Sequence, residues 1–365
     1  MSILSEYWGR FQVALIPHLE NALESPLTPK LQLFVQVLDI VDIARFIPSR
    51  YDQRMGRKAH DRRSIARAFI AKAVYDLPTT ELLIEFLLEQ PTLRKLCGFD
   101  RRVDVPSAST FSRAFAKFAT NDLGSKVHES IVRAHGVDKI VMHISRDSTA
   151  VSAREKATKK EAKEPKPKRN RGRPKKGEEV EPKEQTRIEQ QLTQTAEEAL
   201  AELSKVCNVG AKRDSKGNSH YWTGWKAHID WADGSIPLNV VTTSASVHDS
   251  QVAIPLARVT ARRVHSCYDL MDAAYDVKAI RKVSEELGHV PIIDVNKRGG
   301  ELEPVEGFRA LRYNERSTAE RGNSRLKDAF GLRHLRVRGH AKAHFHIMLG
   351  VLVLFADQLY KVPSG

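Results

Sequence analysis

Four residues suited to phosphodiester chemistry stand at fixed intervals near the C-terminus, Tyr313-x2-Arg316-x3-Glu320-x6-Lys327. On a helix turning about 100° per residue they fall in one stripe roughly 60° wide. A carboxylate needs no such company to be soluble. One that holds a cation against a phosphodiester does, because Arg and Lys then grip the phosphate oxygens. The competing account is a solvated face with an Arg316–Glu320 salt bridge. Ala319, Leu326 and Phe330 make a separate apolar face that can lie on a sheet. Two further acids stand where strands should end. Asp147 follows the apolar run from Ile140 to Ile144, and Asp272 follows Tyr268-Asp269-Leu270-Met271. Neighbouring strand ends converge in an α/β sheet, so carboxylates there can share a metal pair about 4 Å apart. Asp beyond a strand also caps turns, which is the alternative. Among rivals, Asp269 reads as strand-interior, Asp276 as a helix cap and Asp294 as a weaker candidate on the next strand.

Such acids need a sheet with a helix laid on it. The apolar run at Ile140 to Ser145 predicts a strand that ends at Arg146-Asp147-Ser148. Further strands are expected over His220 to Trp231, Ile236 to Ser244, His265 to Met271 and Val290 to Val295, with Asp233-Gly234 as a hairpin turn. Ser250 to Val259, Val277 to Leu287, Asn314 to Phe330 and Lys342 to Tyr360 read as helices. The first 135 or so residues read as helical throughout, over Leu31 to Ile47, Ser64 to Tyr75, Thr79 to Leu88 and Phe111 to Phe118. Arg113 and Lys117 on the last of these fit either a helix-turn-helix DNA binder or the solvated face of an ordinary bundle. The expected fold class is therefore α/β, a mixed-sheet domain over 137–365 preceded by an all-α domain over 1–136.

A charged insertion interrupts the sheet domain at 151–206. Between Arg154 and Lys176 it carries twelve Lys and Arg against three Glu, then turns acidic and helical. Most of the chain's net charge of +14 sits there; 59 Lys+Arg stand against 45 Asp+Glu, with a pI of ≈ 9.6. That excess points to nucleic acid or an anionic membrane surface as partner. Within the run, Arg171-Gly172-Arg173-Pro174 resembles an AT-hook core. There Gly lets the backbone lie in a narrow minor groove and the arginines extend along it. The alternative is a polybasic linker with salt-dependent, non-specific affinity.

Three widely spaced cysteines, Cys97, Cys207 and Cys267, exclude a disulfide framework and a C-x2-C zinc site, and suit a reducing compartment. The N-terminus shows no secretory pattern. The longest apolar run, Ile347 to Ala356, falls short of the about 20 residues of a membrane span, so it reads as a buried helix. A cytoplasmic, nucleoid-associated protein without a membrane partner is expected. His334, His340, His344 and His346 lack a third ligand pattern, so surface or phosphate-contacting roles are expected. Trp225 and Trp231 should share one strand face, with Trp222 on the other, and pack in the core.

Taken together, these residues resemble the insertion-sequence transposases of the DDE type, which have an RNase H-like catalytic domain. Arg146-Asp147-Ser148-Thr149 is similar to the family's first acidic motif, and Met271-Asp272-Ala273-Ala274-Tyr275 to its second. Tyr313, Arg316, Glu320 and Lys327 match its Y-R-E-K signature at every spacing. Gly224-x-Lys226-x-His228, Ala245-Ser246-Val247-His248-Asp249-Ser250 and Pro106-Ser107-x-Ser109-Thr110-Phe111 also resemble family segments. The resemblance implies a catalytic, metal-binding triad of Asp147, Asp272 and Glu320 that takes two Mg2+, or Mn2+ in its place. One metal would activate the attacking oxygen and the other stabilise the leaving one. It implies that Tyr313, Arg316 and Lys327 contact DNA. It further implies that terminal inverted repeats are bound, cut and joined to target DNA by a homodimer or larger synaptic oligomer. The stretch between Asp272 and Glu320 is too short for the β-rich insertion some relatives carry. A nuclease without strand transfer and a transposase-derived DNA-binding protein that no longer cuts are the alternatives.

Overall fold

The computed structural model describes residues 28–48, 59–136, 140–158, 185–213, 217–295 and 307–361. Arg171, Gly172 and Arg173, and with them the AT-hook-like segment, lie outside the described residues.

Six helices come first: α1 (Pro29–Val41), α2 (Arg62–Val74), α3 (Thr80–Glu89), α4 (Pro91–Cys97), α5 (Ala108–Thr120) and α6 (Leu123–Gly136). Their starts follow capping chemistry. Thr28 and Thr79 accept from the backbone N–H three residues on, and Asp61 accepts from Arg63 and Ser64. The segment expected as one helix from Leu31 to Ile47 breaks at Asp42, whose φ of 34° ends α1. Arg113 and Lys117 point outward from α5, while Phe111, Phe115 and Phe118 are buried.

The sheet follows. It comprises β1 (Ile140–Ser152), then α7 (Arg187–Gln190), α8 (Ala196–Ala201), β2 (Asn208–Arg213), β3 (Ser219–Ala232) and β4 (Ile236–Ser244). The chain continues through α9 (Ser250–Ala261), β5 (His265–Met271), α10 (Lys278–Glu286) and β6 (Val290–Ile293). It ends in α11 (Gly307–Asn314), α12 (Ser317–Ala329) and α13 (His340–Lys361). Strand order is β2-β3-β1-β5-β6, with β4 also on β3. β1 runs antiparallel to β3 and parallel to β5. The sheet is thus mixed and preceded by helices, consistent with an RNase H-like domain. β2 was not foreseen; six residues around Gly210 hold too little alternation to mark a strand. The expected hairpin turn is present as one helical turn, with Gly234 at a φ of 75°.

β1 runs on through Ser152, where the sequence suggested an end at Arg146–Ser148. Its later residues alternate polar and small, a pattern with little hydrophobic signal. They are held by pairing along β3 from Ile144↔Ala232 to Ser152↔Gly224. Gly224 is required there, because a Cβ would lie 2.2 Å from the Val151 carbonyl oxygen.

The helical region and the sheet share one core. α13 packs against α1, α2, α5 and α6 as well as β4. Phe345 meets Phe115 and Phe118 with ring centroids 4.8 and 6.0 Å apart. Among the described residues α13 is the one helix long and apolar enough to cross a membrane, but Ile347 to Ala356 are buried inside the protein. The acidic tail of the insertion folds as two short helices on α9. There Gln191 donates to the Gln251 carbonyl at 2.7 Å, and Arg258 donates to the carbonyls of Gln191 and Gln194.

Candidate active site

The period of two along β1 sorts its side chains by face. Arg146 points to one face, fully buried, and its guanidinium makes two bonds to Asp230 at 2.7 and 2.9 Å. Asp147 points to the other face, the one covered by α12. The β1–β5 pairing ends at Arg146↔Met271. The next residues on these parallel strands are Asp147 and Asp272, which therefore stand side by side as the sheet splits. Asp272 leaves the sheet and caps a helical turn, accepting from Ala274 N–H at 3.0 Å.

α12 is held on this face by shape. Ala319, Leu326 and Phe330 are buried, as their spacing suggested. Gly322 lies over the Trp231 ring, where a Cβ would come within 2.5 Å of ring carbon. Trp231 is itself fully buried and cannot swing away. Gly322→Ala is expected to cost about 1–3 kcal/mol by overpacking, read as a lower urea midpoint with an unchanged slope. Trp225 shares this buried face, and the Trp222 indole N–H donates to the Trp225 carbonyl at 3.2 Å.

The stripe expected from Tyr313 to Lys327 on one continuous helix is interrupted. α11 stops at Asn314, and a tight turn follows in which Arg316 N–H bonds the Tyr313 carbonyl. At the turn the Glu315 carbonyl accepts from Thr318 N–H at 2.9 Å and from the Ser145 hydroxyl of β1 at 3.4 Å, so the break sits against the sheet. Three of the four residues still converge, and Lys327 lies near Asp147 instead. The Arg316 guanidinium lies 5.9 Å from the Tyr313 ring centroid and 2.6 Å from the Glu320 carboxylate. Glu320 is 61% exposed and engaged with that arginine. Among the described residues, no three His, Cys, Asp or Glu side chains form a ready-made metal cage.

Electrostatics tie the acids to their surroundings. Burial pushes the Asp147 carboxyl up to about 6; its own backbone contact to Ser148 opposes this, Asp272 adds to it, and Lys212 and Arg316 pull it back. Burial likewise raises Asp272, against the Ala274 N–H, with Asp249 adding to the rise and Arg316 and Lys212 opposing it. Burial and the nearby charges of Lys212 and Arg333 lower Lys327, while Asp147 supports its charge. Two desolvated carboxylates side by side, both raised, suit a hard divalent cation that would relieve their repulsion. The oxygen donor set is the right type for it.

Several contributors carry no signal in one dimension. Asn323, one turn beyond Glu320, donates to Asp147 at 2.9 Å. Lys212 comes from the unforeseen β2. Asp249 joins two sequence motifs: Lys226 Nζ reaches both the Val247 carbonyl at 3.0 Å and the Asp249 carboxylate at 2.9 Å. Tyr275 is buried beside Asp249, Asp147 and Asp272 with its hydroxyl unpartnered. Helical spacing after Glu320 could have raised Asn323; nothing local could have raised Lys212.

Of the rival acids, Asp269 and Asp276 are occupied elsewhere, while Asp294 is exposed just beyond β6 and near Tyr313. Asp269 is fully buried with Ser284 Oγ at 2.6 Å and His289 Nδ1 at 3.2 Å. Asp276 pairs with Arg281 at 2.8 Å. Of the histidines after the signature, His334 keeps a part-exposed side chain beside Asp76, whereas His340 and His344 are not the surface groups expected. His344 bonds Ser125 and Thr242 at 2.8 Å each, and His340 bonds the Thr242 carbonyl at 2.8 Å. They knit α13 to β4 because α13 is a core helix.

Residues 142–356 match the family model described as Transposase DDE domain, a stretch that takes in Asp147, Asp272 and Glu320. Residues 20–117 match a second model, Transposase domain (DUF772). No curated protein matches the chain.

Proposed function

This chain belongs to the DDE transposase family, and from that premise we propose that Asp147, Asp272 and Glu320 form its catalytic centre, taking Mg2+ or Mn2+. When bound, a divalent pair supplies the Lewis acidity that activates an attacking oxygen and stabilises a leaving one. The observation that carries the reading is the register: β5 pairing stops at Arg146↔Met271, leaving Asp147 and Asp272 adjacent under α12. Asn323 holds the Asp147 carboxylate, leaving its other oxygen for the cation. Glu320 must exchange partners. An incoming phosphate competes for Arg316, and the released carboxylate swings toward the other two acids. Arg316 and Lys327 then hold phosphate oxygens, and Tyr313, stacked by Arg316, supports the strand.

Arg113 and Lys117 on the outer face of α5 are proposed to contact the terminal inverted repeats, helped by the basic insertion with Arg171, Gly172 and Arg173. A homodimer or larger synaptic assembly at the nucleoid holds both ends. The test is to incubate the purified chain with a labelled element end, a target plasmid and Mg2+ or Mn2+. Joined products support strand transfer. Nicking without joining returns the nuclease reading, and binding without cleavage the non-cutting DNA-binding reading.

The raised Asp147 carboxyl sets a pH dependence. Because its folded-state value lies above the ordinary 3.8, the neutral form favours the folded apoprotein. That contribution is full below about 4 and lost as pH rises through about 6. Cation binding needs the ionised form and runs the other way. Mn2+ is therefore expected to stabilise the fold strongly at about pH 8, by up to about 2.7 kcal/mol at a hundredfold excess over Kd and read as a higher melting temperature, and little at about pH 5. An equal shift at both would exclude Asp147 as a ligand.

A further inference from the structure

A second cation-rich site lies away from the acids. α2, the start of α3, α5, the loop between α12 and α13 and the first turns of α13 line a cavity of ≈ 570 Å³. Its floor is aromatic, with Phe69, Phe115 and Phe330. Its polar wall is basic: Lys72, Arg154, Arg336, Arg338 and Lys342 line it, against Glu81 as the one acid among the described lining residues. The neighbouring Asp76 is 3.6 Å from His334.

These cations have not been brought together by internal pairing. Among the described residues, Arg154, Arg336, Arg338 and Lys342 have no ion-pair or hydrogen-bond partner. Lys72 is drawn down to about 8 by burial, with Arg336 adding to the fall and Asp76 and Glu81 opposing it. Crowded like charges cost stability unless a polyanion answers them. The charge also continues past the cleft. Arg154 is the first of the twelve Lys and Arg that run to Lys176.

The position of the cleft bears on which polyanion fits. α12 carries Glu320 in its first turn, and Phe330 at its C-terminal end lines the cleft. Ten residues of helix span about 15 Å. On duplex DNA that is roughly four to five base pairs, at about 3.4 Å of axis each.

We propose that this cleft is a second DNA-backbone site, holding phosphates of the same duplex about four to five base pairs from the one placed at the acids. The duplex as ligand rests on the transposase reading; the cleft's basic lining does not. Phosphate contacts carry no sequence information, so the contribution should be equal on element ends and on random duplex.

The test is binding of the full chain to labelled duplex, by fluorescence anisotropy without divalent cations and across a salt series. Arg336→Gln/Arg338→Gln/Lys342→Gln is compared with wild type and with the charge-keeping Arg336→Lys/Arg338→Lys/Lys342→Arg. The neutral triple variant should flatten the slope of log K against log salt by about 2–3 and weaken binding about tenfold or more near physiological salt. The charge-keeping variant should restore the slope. An unchanged melting temperature would confirm that the fold is intact, as expected for unpaired surface cations. A slope equal to wild type in the neutral variant overturns the proposal, including the case in which the cleft takes only free phosphate. On duplexes trimmed to end about three base pairs from the cut, on one side and then the other, the wild-type advantage should vanish for one of the two. Persistence on both overturns the assigned position. The readout is binding, so it separates from the catalytic reading. A flattened slope with no cleavage by wild type keeps the cleft and sinks the triad, and cleavage with an unchanged slope does the reverse.

Discussion

Asp147→Asn, Asp272→Asn and Glu320→Gln are each expected to lower strand cleavage and joining by about 10³-fold or more, roughly 4 kcal/mol of transition-state stabilisation. Each change keeps the volume of the side chain and removes one anionic oxygen donor. DNA affinity measured without divalent cations should stay within a few-fold, because the cations that grip phosphate are untouched. Asp147→Asn should in addition raise the melting temperature of the apoprotein slightly at neutral pH, since it removes a buried charge whose protonation is favoured up to about 6. The losses should not add. Residues that act as one unit are grossly non-additive, so Asp147→Asn/Asp272→Asn should be no more impaired than either alone. Wild-type joining in any single variant would remove that residue from the centre. A graded, additive loss would point instead to three independent contributions to binding. Arg316→Gln differs in kind. It frees Glu320 from its 2.6 Å partner while deleting a phosphate ligand, so it should raise KM more than it lowers kcat.

Asp230→Ala is expected to cost about 3–5 kcal/mol of stability, because it removes the ion-pair partner of a fully buried guanidinium and leaves only the more remote charge of Asp269. Arg146 and Asp230 are directly opposed across β1 and β3, with both side chains shut from solvent. Asp230 also accepts from the Thr260 hydroxyl of α9 at 2.6 Å, so the pair ties the sheet to the helix layer opposite α12. The remedy for the loss is not charge but packing. Arg146→Met/Asp230→Leu should recover most of it, as apolar replacements of buried ion pairs commonly do. Urea unfolding of the two variants decides this. A double variant as unstable as Asp230→Ala would mean that the pair contributes net stability rather than being merely costly to break. The neighbour of the proposed catalytic acid is thus structural. Arg146 sits one residue from Asp147 and on the far face, so it cannot reach a phosphate bound there.

Parts of this site are legible in the chain. Asp147, Asp272 and Glu320 stand out because apolar runs and helical spacing bracket them, and the buried face of Ala319, Leu326 and Phe330 follows from the helical period alone. The hairpin at Asp233-Gly234 and the threonine caps follow from local turn and capping chemistry. The break at Glu315–Arg316 does not, because neither Gly nor Pro marks it and its contact with Ser145 joins positions far apart in the chain. Lys212 is hidden because β2 gains its structure from pairing with Ser219–Gly224 rather than from its own alternation. The packing of α13 against both the helical region and β4 does not show in the sequence either, because its apolar run marks burial without saying which elements cover it.

What the sequence determined by itself is therefore the chemistry available: three oxygen acids, a flanking Tyr, Arg and Lys, and a large basic excess, each set by residue type and short-range period. What only the tertiary structure decided is which of these meet. Asp147 and Asp272 become neighbours because β5 stops pairing at Met271, and Glu320 pairs with Arg316. The unpaired cations of the second cleft converge from elements far apart in the chain. Covalent spacing reaches only a few residues along a helix or strand, whereas strand register and helix packing bring together groups separated by a hundred or more.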